Sequence, residues 1–115
     1  MGWQKLVDSK TEAFGPGLLL RFRSSDTPHE GNIIAIAVHI PTTPALSLFQ
    51  AEGHKAGYAM GYRQPTLPAE STMDGNPASV RRTWLLGNFE HIVLGVDPDM
   101  IEYAENYEIV ALPER

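Results

Sequence analysis

The side chains able to do acid–base or metal chemistry are four histidines and two close pairs of acids. His29, His39, His54 and His91 are spread along the 115-residue chain. None has a second ligand at helical or hairpin spacing, and no His-Glu-x-x-His segment occurs, so no metal site is expected. Asp97 with Asp99, and Glu102 with Glu105, are near enough in sequence for paired acid–base work. Such work also needs burial and shifted proton affinities, whereas an acidic run usually faces solvent. Asp97-Pro98-Asp99 is too short for a calcium loop. There is no Gly-x-Ser-x-Gly elbow and no glycine-rich phosphate loop. With no cysteine, disulfides, thiolate metal sites and cysteine nucleophiles are excluded. The expectation is a protein with no catalytic residues and no cofactor. The competing reading is a small enzyme whose His and carboxylate groups meet only in space, as triads do.

The tyrosines suggest recognition instead. Tyr58, Tyr62, Tyr103 and Tyr107 flank loops or acidic residues. Tyrosine beside carboxylates suits a surface that faces Arg or Lys of another protein. The opposing reading packs their rings on a sheet with the hydroxyls outward.

Charge is distributed unevenly. The net charge is −5. Residues 1–82 are close to neutral, whereas residues 83–115 hold seven acids against Arg115 alone. Nucleic-acid binding needs a basic footprint and is disfavoured. Attraction to a basic partner is favoured, the alternative being an acidic face that serves only solubility. A hydrophobic share of 43% with 20% charged residues fits a folded chain, not a disordered one. The length fits one domain, residues 1–115, with a single core. No signal-like or membrane-spanning apolar segment is visible, which points to a cytoplasmic protein without membrane contact.

These groups need a scaffold, and its centre is Gly31–Ile40, the longest near-continuous apolar run. Its Ile and Val content and the closing Pro41 predict a central strand buried on both faces; Gly31 and the prolines disfavour a helix. Leu18–Arg23 alternates and predicts a strand pairing antiparallel with the central one, after the Gly15-Pro16-Gly17 turn. Ala45–Gln50 and Tyr58–Arg63 predict two more strands, and Tyr107–Leu112 a last one. Residues 3–14 read as a short strand or a loose helical turn. Residues 64–78, with three prolines and Asp74-Gly75, form a long loop of functional length. Ser79 is the expected cap of one short helix within residues 79–88, ending at Gly87-Asn88 in a left-handed conformation. Met100–Ala104 is a helical turn started by Asp97 and Pro98, or a strand. The fold class is α+β: a mainly antiparallel sheet, with a partly open barrel as a variant, and one short helix.

Several of these segments carry a family pattern. Trp3, Leu6 and Ser9 come first; then Gly17, Leu19, Arg21 and Phe22; then Gly53, Lys55, Ala56 and Gly57. Leu67, Pro68 and Glu70 follow, then Trp84, Leu85, Asn88 and Phe89, and finally Asp99, Ile101 and Tyr103. In this order the chain resembles small immunity proteins of bacterial polymorphic-toxin and secreted-effector systems. It departs from their pattern at Phe89, where tryptophan is usual, and after Phe22, where Pro-Ala is missing. The resemblance implies a non-catalytic role: binding a cognate protein toxin with a basic surface, such as a nuclease, and neutralising it. The implied contact surface is Asp97, Asp99, Glu102, Tyr103, Glu105 and Tyr107, with the 64–78 loop as a second candidate. The Trp84 helix is assigned to the core. An adaptor or chaperone that loads an effector without silencing it is the alternative binding role.

Overall fold

The computed structural model describes residues 2–52, 59–60 and 66–105. Its strands are β1 (Gln4–Lys5), β2 (Ala13–Phe14), β3 (Leu19–Phe22), β4 (Ile33–Val38), β5 (Ser47–Glu52), β6 (Ala59–Met60), β7 (Val80–Arg81) and β8 (Glu102–Ala104); its α-helix is α1 (Arg82–Asn88). Six strands form one antiparallel sheet in the order β1-β8-β3-β4-β5-β6, and β2 pairs with β7 in a separate ribbon. The fold is therefore α+β as expected. The sheet stays open, with β1 and β6 at its opposite edges. Among the described residues no helix is long and apolar enough to cross a membrane.

The β4 run lies inside the sheet between β3 and β5, and β3 and β4 are antiparallel with Leu20 opposite Ala35. Its burial differs from the expected two-sided pattern. Ile33, Ala35 and Ala37 are buried, while Ile34, Ile36 and Val38 are only half-buried. Successive side chains point to opposite faces, so one face of β4 belongs to the core and the other is partly open. The core face continues through Leu20, Phe22, Leu48 and Tyr103. Beyond Ile34 the register slips by one residue, so Ala51 bulges out of β5.

Against this face pack Trp84 and Leu85 of α1, then Phe89, all buried. Phe22 and Phe89 meet edge to face, with ring centroids 4.9 Å apart. The helix begins later than its expected cap. Ser79 precedes β7 instead of the helix, and Arg81 stands at the N-cap without a side-chain bond. The Ser79 hydroxyl is used elsewhere: it accepts from the Met73 amide at 2.8 Å and donates to the Asn76 carbonyl at 2.8 Å. The first turn of α1 is tied down instead by Arg82, whose amide donates to the Glu12 carbonyl at 2.9 Å. Replacing the buried Ser79 by alanine removes two bonds and should cost about 1–3 kcal/mol in urea unfolding, without loss of helix signal.

The far end of α1 also departs from expectation. Asn88 has φ −128°, and the chain runs on into a 3-10 turn at Phe89–His91. Among the described residues the left-handed ones are Gly17, Gly31, Asp74, Gly75 and Gly95. Asp74 and Gly75, with φ 52° and 76°, close a tight hairpin bridged by Met73 and Asn76. The 66–78 loop is thus well tied: the Leu67 amide donates to the Leu46 carbonyl at 2.9 Å, and Leu67, Ser71 and Thr72 are buried. Residues 3–14 contain both forms expected of them, a strand at β1 and a 3-10 turn at Leu6–Asp8. Most of the 58–63 strand, the last strand at 107–112, and His54, Tyr58, Tyr62 and Tyr107 lie outside the described residues.

Candidate binding cleft

The segment from Leu94 to Glu102 takes its place by being held on both sides. Upstream, the loop after β3 clasps it: the Ser25 amide donates to the Gly95 carbonyl at 2.8 Å, and the Ser24 hydroxyl donates to the Leu94 carbonyl at 2.5 Å. Gly95 sits with φ 78°, and a Cβ there would lie 2.8 Å from the Asp26 nitrogen. Next, the Asp97 carboxylate accepts from the Asp99 amide at 3.0 Å, which starts the 3-10 turn Pro98–Met100. The two readings of Met100–Ala104 are both partly realised, because β8 follows directly on that turn. Downstream, the Leu6 amide donates to the Ile101 carbonyl at 2.9 Å, and both side chains are buried.

Along this segment, β3 and β1 runs a cleft of about 560 Å³, within the size range of ligand pockets. Lys5, Glu102 and Arg21 form a row across β1, β8 and β3, because Glu102 is opposite both cations. Arg21 donates from Nε and Nη2 to one oxygen of Glu102, at 2.9 and 2.8 Å. The Trp3 ring lies on the guanidinium, 4.4 Å from centroid to Cζ. Arg23, Ser25, Asn32, Asp97 and Met100 also line the cleft. The Arg21 and Glu102 side chains are 27% and 35% exposed, so water screens the pair. Glu102→Gln should therefore lower stability by less than about 1 kcal/mol, a difference that fades in high salt.

The expected contact residues end up in different places. Asp97, Asp99 and Glu105 are exposed. Glu102 is half-exposed and spent on Arg21. Tyr103 is a correction: it is 6% exposed, packs on Phe14 with centroids 5.1 Å apart, and donates its hydroxyl to Gln4 Oε1 at 3.1 Å. It alternates inward from Glu102 on β8, so it supports the core and offers no rim contact. Tyr107 lies outside the described residues. Of the 66–78 stretch, Met73, Asp74, Asn76 and Ala78 line a separate shallow hollow with Phe14 and Gly15.

Two residues were missed by sequence reasoning. Leu94 is 70% exposed and Met100 is 59% exposed. Periodicity hides them, since an apolar residue in a short irregular segment reads as core. The signal that could have found them was the turn chemistry around them, Gly95 and Asp97-Pro98, which turns their side chains away from a regular packed face. His29 and His91 are exposed and His39 is half-buried, and none lines the cleft. Among the described residues no group of three or more His, Cys, Asp or Glu could hold a metal ion. The arrangement supplies charge, hydrogen-bond donors and exposed apolar side chains, which is the chemistry of recognition. Comparison with protein families, curated proteins and solved structures finds no match.

Proposed function

We propose that this protein is a cytoplasmic immunity protein that binds a cognate bacterial toxin domain and neutralises it. The observation that carries the reading is the mostly exposed Leu94–Met100 segment, which reaches the cleft at Gly95, Asp97 and Met100. The exposed apolar side chains of Leu94 and Met100 flank a turn bearing the exposed carboxylates of Asp97 and Asp99. Interfaces combine such apolar anchors, methionine among them, with a polar rim. The acidic rim suits a basic partner and speeds encounter with it. The family resemblance supports the same role and supplies the class of partner.

On this reading the acids divide by task. Asp97, Asp99 and Glu105 steer association, whereas Glu102, matched by Arg21, does not. Asp97→Asn with Asp99→Asn should slow association several-fold at low salt and flatten its salt dependence; Glu102→Gln should leave the rate within about twofold. Stopped-flow mixing with the purified partner checks both. The partner itself is found by capture on the tagged protein from its native cells, beside a Leu94→Asp/Met100→Asp variant. A stoichiometric protein held by the first, lost by the variant and inactive in the complex supports the reading. A captured protein that keeps its activity favours an adaptor instead.

A further inference from the structure

The cleft has a charge imbalance that the acidic rim does not explain. Three cations line it, Lys5, Arg21 and Arg23, against two carboxylates, Asp97 and Glu102. Both carboxylates already have internal partners: Glu102 holds Arg21, and Asp97 holds the Asp99 amide. Among the described residues, Lys5 and Arg23 have no ion-pair partner. Arg21 is fixed between Glu102 and Trp3 and meets Glu102 through two of its five N–H donors, both aimed at one oxygen. A chain of net charge −5 thus keeps a cleft in which two cations without an ion-pair partner, Lys5 and Arg23, outnumber the one such carboxylate, Asp97, among the described residues.

The other lining residues define the rest of a ligand. Phe22, Pro28 and Met100 give the cleft apolar wall, and Ser25 and Asn32 add neutral hydrogen-bonding groups. We propose that the cleft binds a small organic oxyanion, a carboxylate or a phosphate carried on an apolar body. The oxyanion sits against Lys5 and Arg23, where charge-assisted hydrogen bonds are strongest. The preorganised Arg21 loses no further side-chain freedom on binding. The apolar body lies along Met100. This site shares Met100 with the proposed toxin contact, but Lys5 and Arg23 belong to it alone, so either proposal can fail without the other.

The test is an NMR titration of the full chain with four probes: 4-phenylbutyrate, phenyl phosphate, 4-phenylbutylamine and inorganic phosphate. Saturable shifts at the amides of Arg23, Ser25, Asn32 and Met100 are expected with the two organic anions. The amine should give none, and inorganic phosphate should bind more weakly than phenyl phosphate. Arg23→Glu and Lys5→Glu, both at exposed positions, should each weaken the organic anions roughly tenfold or more, with the other amide peaks unmoved. If only the carboxylate or only the phosphate ester saturates, the site is confirmed and its anion class fixed. Equal binding of the amine, no saturation by either organic anion at millimolar concentration, or unchanged affinity in both variants overturns the proposal. Inorganic phosphate binding as tightly as phenyl phosphate overturns the apolar half of it.

Discussion

Phe89→Ala should lower the unfolding free energy by about 3–5 kcal/mol. Phe89 is fully buried, and its ring meets the face of the sheet through Phe22. Alanine leaves a cavity between the 3-10 turn and the sheet, and it removes an aromatic pair worth about 0.5–1.5 kcal/mol beyond its burial. A domain of this size has a total stability of about 5–15 kcal/mol, so the variant stands close to unfolding at room temperature. Urea denaturation followed by tryptophan fluorescence reads the effect, since Trp84 belongs to the same core. Leu94→Ala is the contrasting variant. At 70% exposure it should change stability by less than about 0.5 kcal/mol. A large loss there would place Leu94 in the fold and remove it from the contact surface.

Gly95→Ala should cost about 2–4 kcal/mol. Its φ of 78° is strained for any residue with a Cβ, and that Cβ would lie 2.8 Å from the Asp26 nitrogen. The exposed Ser25 hydroxyl, 2.9 Å away, can rotate aside, but the buried Ser24 hydroxyl at the same distance would have to give up its bond to the Leu94 carbonyl. The backbone nitrogen cannot move aside, because the Ser25 amide is bonded to the Gly95 carbonyl. The expected result is a loosened clasp, seen as faster amide exchange at Ser25 together with the lower stability. Gly87 supplies the opposite case. It lies in α1, exposed, without a positive φ, and a Cβ added there would meet nothing within 4 Å. Gly87→Ala should therefore stabilise the protein by about 0.5–1 kcal/mol.

The sheet was legible because β3 and β4 carry strong alternation or apolar runs between unmistakable turns. That β4 is covered fully on one face only was not legible, because Ile34, Ile36 and Val38 look the same whether buried or half-buried. The helix was legible as a core element through Trp84 and Leu85, and its start was misread because serine serves turns as well as caps. Ser79 serves the 73–79 turn. At the cleft, the acidity around Asp97 and Asp99 was plain from composition. The neutralisation of Glu102 was not, since its partner Arg21 lies 81 positions away and is brought opposite only by strand pairing. The inward turn of Tyr103 follows from the same β8 alternation, which a three-residue strand is too short to announce.

The central claim is that the Leu94–Met100 surface silences a protein partner, and the direct measurement is the partner's own activity titrated with this protein. Activity should fall to zero at one equivalent. The Leu94→Asp/Met100→Asp variant, folded as shown by its unchanged urea midpoint, should need at least about a hundredfold more protein, as expected for loss of interface anchors. Full activity in a stoichiometric complex would contradict neutralisation. Full inhibition by the variant at one equivalent would contradict the surface.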